Sequence, residues 1–187
     1  MKIILTFLTL ALFISCDEVK KAPTQKPTEV TIPNSLKSST LDGEEILLGK
    51  ITLAQLKLFS PWYQKEYDFY KVNTSQVEEL KSLLKDVQIT LLLGTWCEDS
   101  QREVAPMLKI LKESGFTIED IELIAVSEDK DTPSGLEKKY DLFNVPTLIF
   151  SKENKELNRI VEFPIETLEK DMLSILKDDG YKNAYAK

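Results

Sequence analysis

The sequence predicts an α/β layered fold, and three observations carry that expectation. Between residues 41 and 176 the apolar residues recur alternately at helical and at strand spacing, the pattern of helices packed on a sheet. Residues 88–94, QITLLLG, are apolar with little polar alternation, as a strand buried on both faces requires. The chain has 187 residues, 42% of them hydrophobic and 29% charged, which suits one domain of ordinary size with its own core.

Taken in chain order, the first element is a leader. Met1 and Lys2 open an apolar run from Ile3 to Ile14, shorter than the roughly 20 residues that span a bilayer and suited to the apolar region of a signal peptide. Residues 1–15 therefore read as a signal peptide. Residues 17–40 contain no aromatic residue and carry Pro23, Pro27 and Pro33 among many Thr, Ser and Lys, too little apolar surface to offset chain entropy. With Cys16, residues 16–40 read as a flexible tether.

Residues 41–79 read as an N-terminal extension that packs on the core. Thr52-x-x-Gln55 and Ser75-x-x-Glu78 have the capping-box spacing and predict helices over residues 53–59 and 76–84. Between them Phe59, Trp62, Tyr63, Tyr67, Phe69 and Tyr70 crowd together, a packing surface rather than a site.

The core domain is expected over residues 80–177. After the central strand, Val104, Met107, Leu108 and Leu111 fall at helical spacing with Gly115 behind them, which predicts a helix over residues 97–113 that Pro106 should kink. Strands follow at residues 121–126, 147–151 and 158–163, with a short helix at residues 135–142. Ile165, Leu168, Met172, Leu173 and Leu176 share one face of a closing helix over residues 165–176. Residues 178–187, polar apart from Tyr181 and Tyr185, read as a fraying tail.

Composition excludes several function classes. There is no histidine, so neither a His-based nucleophile activation nor a His-ligated metal is open to this chain. A net charge of −7 argues against nucleic acid as a partner, because that affinity rests on clustered Lys and Arg. Asp129-Lys130-Asp131 begins like a calcium loop, but Ser134 stands where Gly is needed and Tyr140 where Glu is needed. A lone cysteine beside two acids has too few ligands for zinc, and there is no Gly-rich phosphate loop. No metal and no cofactor are expected.

The one stretch that carries chemistry is Gly94-Thr95-Trp96-Cys97-Glu98-Asp99-Ser100, at the end of the central strand. Unpaired backbone N–H groups and the positive end of a helix dipole favour an anion at such a junction, which raises the thiolate fraction of a cysteine placed there. Glu98 and Asp99 oppose this by like charge, and Arg102 offsets them in part. The blander reading of Cys97 is an inert buried thiol. The blander reading of Pro146, further along, is an ordinary turn proline.

Two resemblances add to this reading. Phe13-Ile14-Ser15-Cys16 resembles a bacterial lipobox, with Phe13 where Leu is usual; it implies lipidation of Cys16 and a lipid anchor, or otherwise a plain secretory cleavage. Trp96-Cys97-Glu98-Asp99-Ser100 resembles the Trp-Cys-x-x-Cys motif of the thioredoxin superfamily with Ser in place of the second Cys. Val145-Pro146-Thr147 is similar to its cis-proline segment, and Pro106 stands where its kinking proline does. The likeness covers residues 80–176, about half the chain, and implies a thioredoxin-like three-layer α/β/α sandwich.

That resemblance implies Cys97 and Ser100 as catalytic residues, with Trp96, Val145, Pro146 and Thr147 contacting an extended substrate. Ser100 cannot form a disulfide, so the dithiol cycle is closed to this chain alone, though its hydroxyl can still donate to a Cys97 thiolate. Leu91 stands where the superfamily often keeps a buried Asp that serves the resolving thiol. The expectation is thiol-disulfide exchange, reducing or isomerising, on cysteine-containing client proteins or peptides, with a thiol donor from elsewhere. The competing expectation is a non-catalytic binding module. Either would be held by lipid on a membrane of the bacterial cell envelope, facing periplasm or cell surface, since removal of residues 1–15 takes away Lys2 and leaves a more acidic chain that anionic lipid repels.

Overall fold

The computed structural model describes residues 29–186. The expected signal peptide, Cys16 and the first part of the tether lie outside the described residues. Where the tether was expected to run on to residue 40, a short 3-10 helix at Asn34–Leu36 leads instead into β1 (Lys37–Ser39), which pairs antiparallel with β2 (Glu45–Leu47). Backbone hydrogen bonds between strands offset chain entropy where the side chains of KSS have no apolar surface to bury.

The extension then adds β3 (Gly49–Ile51), α1 (Leu53–Phe59), α2 (Trp62–Phe69) and α3 (Thr74–Leu83). The capping box of α1 forms as expected: Thr52 Oγ1 accepts from Gln55 N and Gln55 Oε1 accepts from Thr52 N. The second box does not. Asn73 caps α3 by accepting from Gln76 N, and the Ser75 hydroxyl donates to the Asn73 side chain, so the helix starts two residues earlier than Ser75-x-x-Glu78 suggests. Asn is as good a cap as Ser, and both compete for the same orphan N–H groups.

The main sheet contains β3, β4 (Val87–Leu93), β5 (Glu122–Ala125), β6 (Thr147–Lys152) and β7 (Lys155–Val161), in the order β3-β5-β4-β6-β7. β4 is central, parallel to β5 and antiparallel to β6; Leu91 lies opposite Leu123 on one side and Leu148 on the other. β3 and β7 run antiparallel at the edges, so the extension contributes a strand to the sheet rather than only packing on it. β7 begins at Lys155, earlier than its apolar residues indicate, because Glu153 and Asn154 both take positive φ and close a two-residue hairpin from β6.

The two faces of the sheet are covered differently. Ile89, Leu91 and Leu93 of β4, with Leu123, Leu148 and Phe150, join the main core with residues from α1, α2, α3, α4 (Glu98–Glu113) and α5 (Leu168–Lys177). On the other face Leu92, Ile124, Val126, Val145 and Ile149 form a smaller cluster under Trp96, Leu136, Tyr140 and Leu142. That third layer is thin, because the helix expected over residues 135–142 is a 3-10 helix at Leu136–Tyr140 bounded by left-handed Gly135 and Asp141.

Both ends of the closing region differ from expectation. α5 starts at Leu168 behind the Thr167 cap, which leaves Ile165 outside the helix and exposed. The tail packs: the Tyr181 hydroxyl donates to Asp171 at 2.8 Å, Asn158 Nδ2 donates to Tyr181 O at 2.9 Å, and Tyr185 meets Phe143 edge to face. Among the described residues, no helix is long and apolar enough to cross a membrane.

Candidate functional site

The central strand delivers the site. β4 ends at Leu93, and Gly94 turns the chain: Cys97 N donates to Gly94 O at 3.0 Å, and Cys97 is the N-cap of α4, one position before its first turn. Cys97 O then accepts the first helical bond, from Gln101 N at 2.9 Å. α4 runs on through Pro106 to a left-handed Gly115, where Phe116 N donates back to Leu111 O.

The Val145-Pro146 peptide bond is cis, and its strand β6 lies beside β4. Cys97, a half-buried free thiol, donates to the Val145 carbonyl with Sγ to O at 3.2 Å. A strand, a cysteine-headed helix, a parallel strand, then a cis-proline strand antiparallel to the first and paired in a hairpin with the next is a specific arrangement. The fold is thioredoxin-like. Its sheet carries an antiparallel edge strand, β3, and its third layer is thin.

Comparison with solved structures bears on fold alone. The chain is similar to an HIV epitope scaffold, at 15% identity over 69% of this chain and 93% of that one, with a TM-score of 0.53. It is also similar to a protein of unknown function from Pseudomonas aeruginosa, at 17% identity over 68% and 87% with a TM-score of 0.48. A thioredoxin from Schistosoma mansoni is 24% identical over 53% and 89%, with a TM-score of 0.35. No protein-family model matches the sequence, and no curated protein matches it.

The residues singled out from the sequence divide into those that face the sulfur and those that hold the frame. Val145 and Pro146 are buried beside Cys97, and Pro146 O accepts from Glu162 N at 2.8 Å, which fixes the cis-proline turn against the end of β7. Thr147 is buried and its hydroxyl donates to Asn144 O, so it braces the turn from within. Trp96 is tied to the end of β5: its Nε1 donates to Val126 O at 3.0 Å and its ring lies over Gly94. A Cβ on Gly94 would stand 2.6 Å from Trp96 Cε2, so only glycine leaves room for this placement.

Ser100 is fully buried, and its Oγ accepts from Gly94 N at 3.1 Å. No hydrogen bond joins Ser100 to Cys97 among the described residues; the oxygen locks the strand-helix turn, and the hydroxyl proton stays free to donate. Leu91 is buried in the main core among apolar neighbours.

Several residues not singled out from the sequence complete the frame. The buried Thr95 hydroxyl accepts from Leu47 N at 3.1 Å, tying β2 to the site loop, and Gln101 Nε2 donates to Thr95 O at 3.0 Å. Glu162 follows β7 in a left-handed conformation and takes the Tyr185 hydroxyl on its carboxylate. Of these, Thr95 had a visible signal, since it adjoins Trp96; the others depend on contacts remote in sequence.

Charges surround the rim. Arg102 donates to Asp99 at 2.6 Å and to Glu103 at 2.7 Å, which neutralises much of the acid at the head of α4. Burial raises Glu103 above the ordinary carboxylate range, and Arg102 opposes that. Burial and then Asp99 push Glu162 up, with Lys130 pulling the other way; the Lys130 ammonium also lies 5.8 Å from the centre of the Trp96 ring. Among the described residues no group of three or more His, Cys, Asp or Glu could hold a metal ion. A polar groove of about 820 Å³ runs past Gln88, Thr90, Glu122 and Lys139, and none of the site residues lines it.

Proposed function

We propose that this chain is an exported, lipid-anchored thiol-disulfide exchange protein that works through Cys97 alone. The observation that carries the reading is the Cys97 thiol set 3.2 Å from the carbonyl that precedes a cis-proline, half-exposed at a strand-helix junction. Cys97 stands at the N-cap of α4, and with no histidine in the chain any activation of its sulfur must come from the helix end, nearby charge and hydrogen bonds.

The Cys97 thiolate attacks one sulfur of a client disulfide. A Cys97-client disulfide forms, the client S–S bond breaks, and the departing client thiolate takes up a proton. A different client thiol that attacks the client sulfur of the mixed disulfide forms a new client disulfide and returns Cys97, so the client is isomerised without net electron transfer. Alternatively a donor thiol attacks the Cys97 sulfur and releases the reduced client, and a second donor thiol attacks the resulting Cys97-donor disulfide and returns Cys97; the client is reduced by two electrons and two donor thiols leave as one disulfide. Val145 and Pro146 form the turn beside which an extended client lies, and Thr147 braces that turn from within. Ser100 accepts from Gly94 N, which leaves its hydroxyl proton free to donate to a Cys97 thiolate.

Cysteine-containing proteins or peptides are the clients, and acylated Cys16 holds the domain at a membrane of the cell envelope. The test is trapping in the mature protein. Mixed disulfides with cysteine-containing peptides are expected to form with the native chain and to vanish with Cys97→Ser. If none form and peptide binding is the same with Cys97→Ser, the domain is a binding module, a reading favoured by the hydrogen bond that already occupies the thiol. Cys16→Ser is expected to release the protein from the membrane fraction.

A further inference from the structure

The helical side of the molecule holds a cleft that the Cys97 site does not use. It lies between α1, α2, the C-terminal part of α4 and the turn that follows, with a volume of about 220 Å³. Leu53, Leu108, Phe116 and Ile118 give it an apolar lining. Tyr63 also lines it and is only 1% exposed, with its ring packed in the core and stacked on Tyr67. Among the described residues, the Tyr63 hydroxyl has no hydrogen-bond partner. Its oxygen is not sealed from solvent, so the hydroxyl is free to donate to a ligand in the cleft.

The charge at the mouth supplies a second observation. Lys57 and Lys112 line the same cleft, and neither is in an ion pair among the described residues. The Lys57 ammonium stands 5.3 Å from the centre of the Tyr63 ring. Glu119 is the one carboxylate that lines the cleft, so two positive charges face one negative in a chain whose net charge is −7. Burial, and after it Tyr67, hold Tyr63 far above the ordinary phenol range, which keeps it a hydrogen-bond donor.

We propose that this cleft binds a small aromatic monocarboxylate. The carboxylate accepts from the Tyr63 hydroxyl and is balanced by Lys57 and Lys112, while the ring fills the apolar lining between Leu53, Leu108 and Phe116. A cavity of this size is below the range for drug-sized ligands and suits a ligand with on the order of ten non-hydrogen atoms. The assignment stands independently of the exchange chemistry, since no residue of the Cys97 site lines the cleft.

Benzoate is the probe, titrated into the mature full chain and followed by NMR, with benzyl alcohol as the uncharged comparison. Saturable binding is expected, with shifts at Leu53 and Phe116. Benzyl alcohol should bind about tenfold more weakly, as should benzoate to the Lys57→Met/Lys112→Met double variant, and Tyr63→Phe should weaken benzoate several-fold, the scale of a lost hydrogen bond to a charged group. The double variant leaves the buried ring in place, so it remains informative should Tyr63→Phe disturb the core. The proposal is overturned if benzoate does not saturate by about 10 mM, if benzyl alcohol binds as well, or if the lysine variant binds benzoate unchanged.

Discussion

The residue that best separates local chemistry from frame is Ser100. It occupies the place of a second thiol, yet its hydroxyl serves the backbone by accepting from Gly94 N inside the strand-helix turn. Ser100→Ala leaves that N–H buried without its partner and is expected to cost about 1–3 kcal/mol of stability in denaturant unfolding. A serine acting only on the sulfur would instead leave stability near native and change thiol reactivity. The sequence made Cys97 legible because a cysteine at a strand-helix junction next to Trp96 is a local pattern. It left the role of Ser100 open, because a hydroxyl can donate and accept at once and only the position of Gly94 N fixes what its oxygen accepts.

Among the elements, helix starts and loop anchors lend themselves to test. α3 is capped by Asn73, not by Ser75, so Asn73→Ala is expected to destabilise the protein by about 1 kcal/mol while Ser75→Ala stays within about 0.5 kcal/mol. Both are read from thermal or denaturant midpoints. Capping-box spacing alone favoured Ser75; the spacing rule holds only if the chain enters the helix at that residue, and Asn73 intercepts it.

The thin third layer has its own anchor. Glu122 of β5 accepts from the Tyr140 hydroxyl of the 3-10 helix and pairs with Lys139 and Lys50 at 3.4 Å each. Burial raises its carboxyl, but Tyr140, Lys139 and Lys50 together outweigh that and hold it below the ordinary carboxylate range. A carboxyl lowered on folding contributes stability that is complete above its unfolded value and is lost as pH falls through the folded value. Tyr140→Phe is therefore expected to lower stability at pH 7, and its deficit relative to the native chain should shrink as both are titrated below about pH 4. An equal deficit at both ends of that range would assign Tyr140 to packing alone.

At the scale of the molecule, the tail is part of the fold. Residues 180–186 return along β7 through Tyr181, bonded to Asp171 and Asn158, and reach Glu162 beside the cis-proline turn. Deletion of residues 180–187 is expected to lower Tm by about 2–4 °C for each kcal/mol lost, and to loosen Glu162, whose N–H holds Pro146 O. Calorimetry reads the first effect and the rate of Cys97 alkylation the second; a tail that frays would change neither. Polar composition suggested fraying because it counts apolar surface, whereas two tyrosine hydroxyls that reach carboxylates do not register in that count.

The sequence by itself determined the class of fold, the central strand, the cysteine-headed helix and the proline that faces it. Each follows from local periodicity, from capping chemistry or from a motif within a few residues. Only the tertiary structure decided that β3 belongs to the main sheet, that Ser100 serves Gly94, that Trp96 turns toward Val126, and that a buried tyrosine lines a cleft between helices. Those outcomes depend on which groups meet across distances of many residues, and hydrogen-bond partners and burial at such contacts are set by the packed fold as a whole.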